Sequence, residues 1–116
     1  MAVIIKALAQ GQLPTSTTSP LYTAPPASPG PARAAIVKNM RFVNVSGSSV
    51  TINIYFRRGS GGTFYRVLTK DMSVAAAQLV IANEEVTLEP DDRIYGTASA
   101  GTSVDYVFSG VERDAS

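Results

Sequence analysis

The chain has 116 residues, 45% of them apolar, with ten basic and nine acidic side chains and a formal charge of +1. That fits one domain with a modest core and lacks the basic surplus of a nucleic-acid binder. Cysteine and histidine are both absent, which removes disulfides, thiolate nucleophiles, imidazole acid–base catalysis and the usual zinc sites together.

No apolar run approaches the roughly 20 residues of a membrane-spanning helix, and the opening MAVIIKALAQG, broken by Lys6, does not read as a signal peptide. Residues 1–34 hold six of the seven prolines, Pro14, Pro20, Pro25, Pro26, Pro29 and Pro31, among serine, threonine and alanine. Proline fixes φ, removes a donor and biases its predecessor to extended backbone, so this stretch is expected to be an extended arm rather than helix or central sheet. Its apolar residues Val3, Ile4, Ile5, Leu8, Leu13, Leu21 and Tyr22 exceed what a solvated linker needs. They are the candidate contacts to a neighbouring chain.

From Ala35 onward the pattern is that of short strands between turns. In AIVKNMRFVNV, residues 35–45, Ile36, Met40 and Phe42 recur at even spacing with Lys38 snorkelling outward, and a change of parity at Val43 to Val45 suggests a bulge or strand end there. Beyond Ser46-Gly47-Ser48-Ser49, Val50, Ile52, Ile54 and Phe56 alternate with Thr51, Asn53 and Tyr55. The two segments are expected to pair as a hairpin. Residues 57–62 form a glycine-rich tip, 63–68 the returning strand, 69–71 a polar turn, and MSVAAAQLVIA, 72–82, a loop followed by a short strand.

Val86 to Leu88 leads into Glu89-Pro90-Asp91-Asp92, a turn by residue type, then a strand over 93–98. In the last strand Val104, Tyr106 and Phe108 alternate with Asp105, Val107 and Ser109, and Gly110 onward reads as a charged, exposed tail. Seven or eight strands joined by short connections predict an all-β, small antiparallel β-sandwich of immunoglobulin-like or jelly-roll kind. The expected organisation is an arm at 1–34, the sandwich at 35–112 and a tail at 113–116.

Candidate sites are few. Arg57 and Arg58 beside Gly-Ser-Gly-Gly lack the Gly-Lys-Ser/Thr ending and following helix of a phosphate loop, so a solvated tip is the plainer reading. Glu89, Asp91 and Asp92 match no calcium loop, and Glu84-Glu85 on a strand point to opposite sides, unlike a glycosidase pair. Tyr55 and Tyr65 are read as sharing one outer face, and with Arg57 and Arg58 they make a possible stacking surface for a sugar. No catalytic residue, metal or cofactor is expected.

The phrases LYTAP (21–25), AAIVKNMRFVNVSGSSVTINIYFRRG (34–59), LTKDMSVAAAQLV (68–80), VTLEPDDRIYGTAS (86–99) and VDYVFSGVE (104–112) resemble small structural proteins of tailed bacteriophage virions. The chain departs from that pattern by inserting Pro26 to Pro31 where a shorter turn is expected. The resemblance implies a many-copy virion component acting by binding rather than as an enzyme. A capsid decoration or cement protein is the first expectation, and a tail, baseplate or fibre component, with receptor or carbohydrate binding, the alternative. Its expected partners are other virion proteins and further copies of itself, without nucleic acid or membrane.

Overall fold

The computed structural model describes residues 3–28 and 30–114, with the backbone alone at Val3 and Lys6. These residues form an all-β sandwich with ten strands among them: β1 (Val3–Gln12), β2 (Tyr22–Thr23), β3 (Arg33–Asn44), β4 (Val50–Arg57), β5 (Phe64–Arg66), β6 (Met72–Val74), β7 (Leu79–Ala82), β8 (Val86–Leu88), β9 (Arg93–Ala98) and β10 (Val104–Asp114). One sheet runs β1-β10-β3-β7 with β8 also on β3, and the other runs β2-β9-β4-β5 with β6 also on β4. Every pairing is antiparallel.

The core lies between the sheets, where the alternation of each long strand places its apolar side chains. Val50, Ile52 and Ile54 of β4 face Val104, Tyr106 and Phe108 of β10, all buried, and Phe108 meets Phe42 edge to face at 6.0 Å. Alternation along β3 is interrupted. Opposite Ser109 and Gly110, β3 supplies Asn39 and Val37, so Lys38 is an extra residue bulged from the ladder. The bulge turns Ala35 and Val37 inward on one side of it and Met40 and Phe42 inward on the other. The parity change therefore falls at Lys38 and not at Val43, and Ile36 faces outward rather than into the core. A Cβ on Gly110 would lie 2.0 Å from the Ile36 carbonyl oxygen, which is why the bulge requires glycine opposite it.

β3 and β4 do not form the expected hairpin. They lie in different sheets, and residues 45–49 are a corner between layers. Asn44, wholly buried, holds that corner: its Nδ2 donates to the Ser48 and Val74 carbonyls at 2.8 and 3.0 Å, and its Oδ1 accepts from Ser46 N and Oγ at 2.9 and 2.7 Å. The stretch 72–82 gives two short strands, β6 and β7, one to each sheet.

The largest departure is at the N-terminus. Residues 3–12 form the edge strand β1 paired along β10. The chain then crosses between layers, with Leu13 N donating to Val104 O at 2.9 Å, Ala98 N to Pro14 O at 2.8 Å and Leu21 N to Ile94 O at 2.7 Å. Leu8, Leu13 and Tyr22 are buried in the chain's own core, and Leu21 packs against it. They close the sandwich over Gly96, where a Cβ would lie 2.8 Å from Leu21 Cδ1 and 2.7 Å from Ile54 Cδ1. An arm separate from the body at residue 34 is thus corrected, although the described prolines fall outside the strands, as their chemistry demands.

Candidate functional site

Three places hold side chains that sequence reasoning singles out or passes over. The first is the outer face of the β1-β10-β3-β7 sheet. Register places Ile5 and Ala7 of β1 beside Val111 and Ser109 of β10, Val107 and Asp105 beside Arg41 and Val43 of β3, and Ile81 and Leu79 of β7 on the far side of Arg41 and Val43. Six large apolar residues of the described chain are well exposed: Ile5 at 86%, Tyr65 at 62%, then Val45, Ile81, Leu79 and Val107. Four of the six lie on this one face, and Val45 sits just past the end of β3. Ile81 and Leu79 line one side of Arg41 and Val43, Val107 lies on the other side of Arg41, and Ile5 stands apart beside Val111.

Of the candidate arm contacts, Ile5 alone is fully outward. Ile4 lies on the inward side and is half-buried, Leu8, Leu13, Leu21 and Tyr22 belong to the core, and the Val3 side chain lies outside the described residues. The physical reason is parity: along β1 and its neighbour every second residue must fill the space between the sheets.

The second place is the outer face of the opposite sheet. Tyr55, Phe64 and Tyr95 stack edge to face there, with centroids 5.5 Å apart for the first pair and 5.0 Å for the second. Arg57 lies 4.6 Å over the Phe64 ring and Arg66 5.1 Å over Tyr55. Asn53 Oδ1 accepts from Arg66 and from Asp71 N, while its Nδ2 donates to Asp71. Burial alone would raise the Tyr95 hydroxyl, but hydrogen bonds from Arg93 and Arg57 outweigh it and hold its pKa below the usual phenol value.

This face is thus satisfied by its own residues, and the guanidinium groups occupy ring faces that a sugar would need. Tyr65 pairs with Phe56 while Tyr55 pairs with Arg66, so the two tyrosines point to opposite sides of the sheet and the shared platform is corrected. Arg58 is drawn away by Glu89 at 2.9 Å and Asp92 at 3.3 Å. The acidic turn is likewise occupied: Asp92 Oδ2 accepts from Glu89 N at 2.9 Å, and Asp91, at φ 71°, pairs with Arg93 at 3.1 Å. Among the described residues no group of three or more carboxylates is placed to hold a metal, and no helix is long and apolar enough to cross a membrane.

The third place was missed in the sequence. Glu112, 2% exposed, accepts a short hydrogen bond from the Tyr22 hydroxyl and lies 3.5 Å from Arg33 Nη1. It belongs to β10, which continues to Asp114 where an exposed tail from Gly110 was expected. Burial, then the bond to Glu112, raise the Tyr22 hydroxyl far above the usual phenol range. The signal was present, because the inward parity of Val104, Tyr106 and Phe108 continues through Gly110 to Glu112.

The sequence matches no family model, and no curated protein matches it. Among solved structures, it superposes on the infectious bursal disease virus Gx strain structure with a TM-score of 0.46 and 12% identity, over 96% of this chain and 32% of that one. The Eiger TNF of S. frugiperda gives a TM-score of 0.39 and 10% identity, over 97% of this chain and 92% of that one. The chain spans about a third of the length of the first of these.

Proposed function

We propose that the chain is a virion structural protein, and specifically a capsid decoration or cement protein, that works by surface contact with neighbouring virion subunits. The observation that carries this reading is the free edge of β1, which among the described residues pairs on one side only, with β10, and presents Ile5 almost fully to solvent. A long open edge offers unpaired backbone donors and acceptors to an added strand. The bulge at Leu8 limits regular pairing to residues 3–7, a length suited to one short strand from a neighbour. Many weak contacts of this kind on one lattice multiply in strength.

The sequence phrases that resemble phage virion proteins support the same reading, since they supply the core strands β3, β4, β9 and β10 and the buried Tyr22 corner. Membership of a tail, baseplate or fibre would use the same edge and is separated by position in the particle. The test is mass spectrometry of gradient-purified particles from the source of the chain, followed by reconstitution with the full-length protein. The chain is expected in fixed stoichiometry, and Ile5→Lys is expected to lower its occupancy while leaving its melting temperature unchanged. Absence from purified particles would defeat the proposal.

A further inference from the structure

We infer that the outer face of the β1-β10-β3-β7 sheet is a self-association surface, and that its occupant is a second copy of this chain. The inference deepens the reading of the protein as one that acts by contact, and rests on it.

Size comes first. The face is four strand lanes wide, β7 and β8 sharing the last, and as long as the 11 residues of β10. At about 4.8 Å between strands and about 3.3 Å per residue it covers roughly 700 Å², close to the ~800 Å² that each partner buries in a standard stable interface. Composition comes second. Ile5, Val107, Ile81 and Leu79 are exposed on it, whereas the opposite sheet's outer face is knit together by its own arginines, tyrosines and Asn53.

Charge distinguishes a second copy from other occupants. Among the described residues the face carries charges of both signs: Arg41, which pairs with Val107, and Asp105, which pairs with Val43, are neighbours at its β7 end, Lys38 is tied to Glu85 at 2.9 Å, and Arg113 lies at the other end. A surface with Arg41 and Asp105 side by side can meet its own copy in an arrangement that opposes these unlike charges, and at that patch two copies then neutralise each other. A strongly acidic or basic partner would leave one of the two charges opposed by its like. Relief also fits. Ala34, Ile36, Thr87, Val111 and Arg113 line a hollow of about 430 Å³ at one end of the face, next to the protruding Ile5, which pairs with Val111. A protrusion beside a hollow on one surface lets each copy fill the other.

Sedimentation equilibrium of the full-length chain, up to about 100 μM, tests this. The wild type is expected to associate. Arg41→Asp and Asp105→Arg, the one making this patch of the face doubly acidic and the other doubly basic, are each expected to weaken association at least about tenfold. An equimolar mixture of the two is expected to regain it, which neither a folding defect nor a general loss of stickiness would produce. Ile81→Lys and Val107→Lys are expected to give monomers with unchanged circular dichroism and melting, and Tyr65→Lys, off the face, to associate as wild type.

A wild-type chain that stays monomeric at the top concentration overturns the inference. So does association unaffected by Ile81→Lys and Val107→Lys together. A monomer that still occupies purified particles would remove self-association and leave the virion role standing. An oligomer absent from particles would do the reverse.

Discussion

Tyr22, Glu112 and Arg33 bring a phenol, a buried carboxylate and a half-buried guanidinium together where β10 ends and the N-terminal segment turns into the second layer. Because folding raises the Tyr22 pKa, the folded state holds that proton more tightly than the unfolded chain does. The resulting stability is complete below the unfolded phenol value of about 10 and is lost as pH climbs above it. Burial raises Tyr106 as well, with the same sign. Urea midpoints measured from pH 8 to 11 should therefore fall across the upper part of that range, and Tyr22→Phe should flatten the fall without abolishing it, since Tyr106 remains. An identical slope in the variant would mean that folding does not raise the Tyr22 pKa.

Replacing Glu112 by Ala should cost more, about 1–3 kcal/mol in urea unfolding at neutral pH, because it leaves a buried hydroxyl without its acceptor. Glu112→Gln, which can still accept from Tyr22, should cost less. Glycine supplies the other residue-scale test. Gly96→Ala forces a methyl against Ile54 and Leu21 and should destabilise by about 1–3 kcal/mol. Leu21→Ala in the same chain should recover part of that loss, which would be impossible if residues 13–21 did not pack over β9.

At the scale of elements, what was legible in the sequence was alternation, and what was not was the partner of each strand. Val50 to Phe56 and Val104 to Phe108 could be read with their inward residues because each run is unbroken. β3 could be located, but its inward residues were misread because the bulge at Lys38 is set by a glycine on another strand, 72 positions away at Gly110. The hairpin expected between β3 and β4 followed from a short Ser/Gly connection, and that composition does not distinguish a turn within one sheet from a corner between two. Asn44 makes the difference, since its four bonds reach both layers.

The N-terminal stretch misled for a related reason. Proline content correctly excluded helix and central strand, but an edge strand that stops at Gln12, before Pro14, satisfies the same rule. Its apolar residues looked surplus to a core counted from residue 35. A chain lacking residues 1–12 tests this directly. As a dispensable arm it would melt as the full chain does. As β1, whose Leu8 and Ala9 help cover Phe108, its loss should lower stability by at least about 3 kcal/mol and expose the β10 edge, detected as dye binding and a broadened transition.

For the molecule as a whole, the pairing of β1 with β10 extends one sheet to its edge and brings Val3 opposite Arg113, neighbours in a sheet at about 5 Å between Cα atoms. This side of the sheet is thus built from strands far apart in sequence and not from any local hairpin. A sheet built in this way should tolerate a direct link between β10 and β1, because the loop-closure entropy of their pairing is then removed from the unfolded state. A circular permutant with a short glycine-serine joint, and new termini between Ser60 and Gly61 at the exposed tip where a Gly61 Cβ would meet nothing within 4 Å, should fold and melt at or above the parent temperature. Opening the chain instead between Gly47 and Ser48, inside the corner that Asn44 holds together, should cost stability, because both sides of the cut bond the same side chain. If the first permutant failed to fold while the second succeeded, the pairing of β1 along β10 would have to be abandoned, and the free edge of β1 with it.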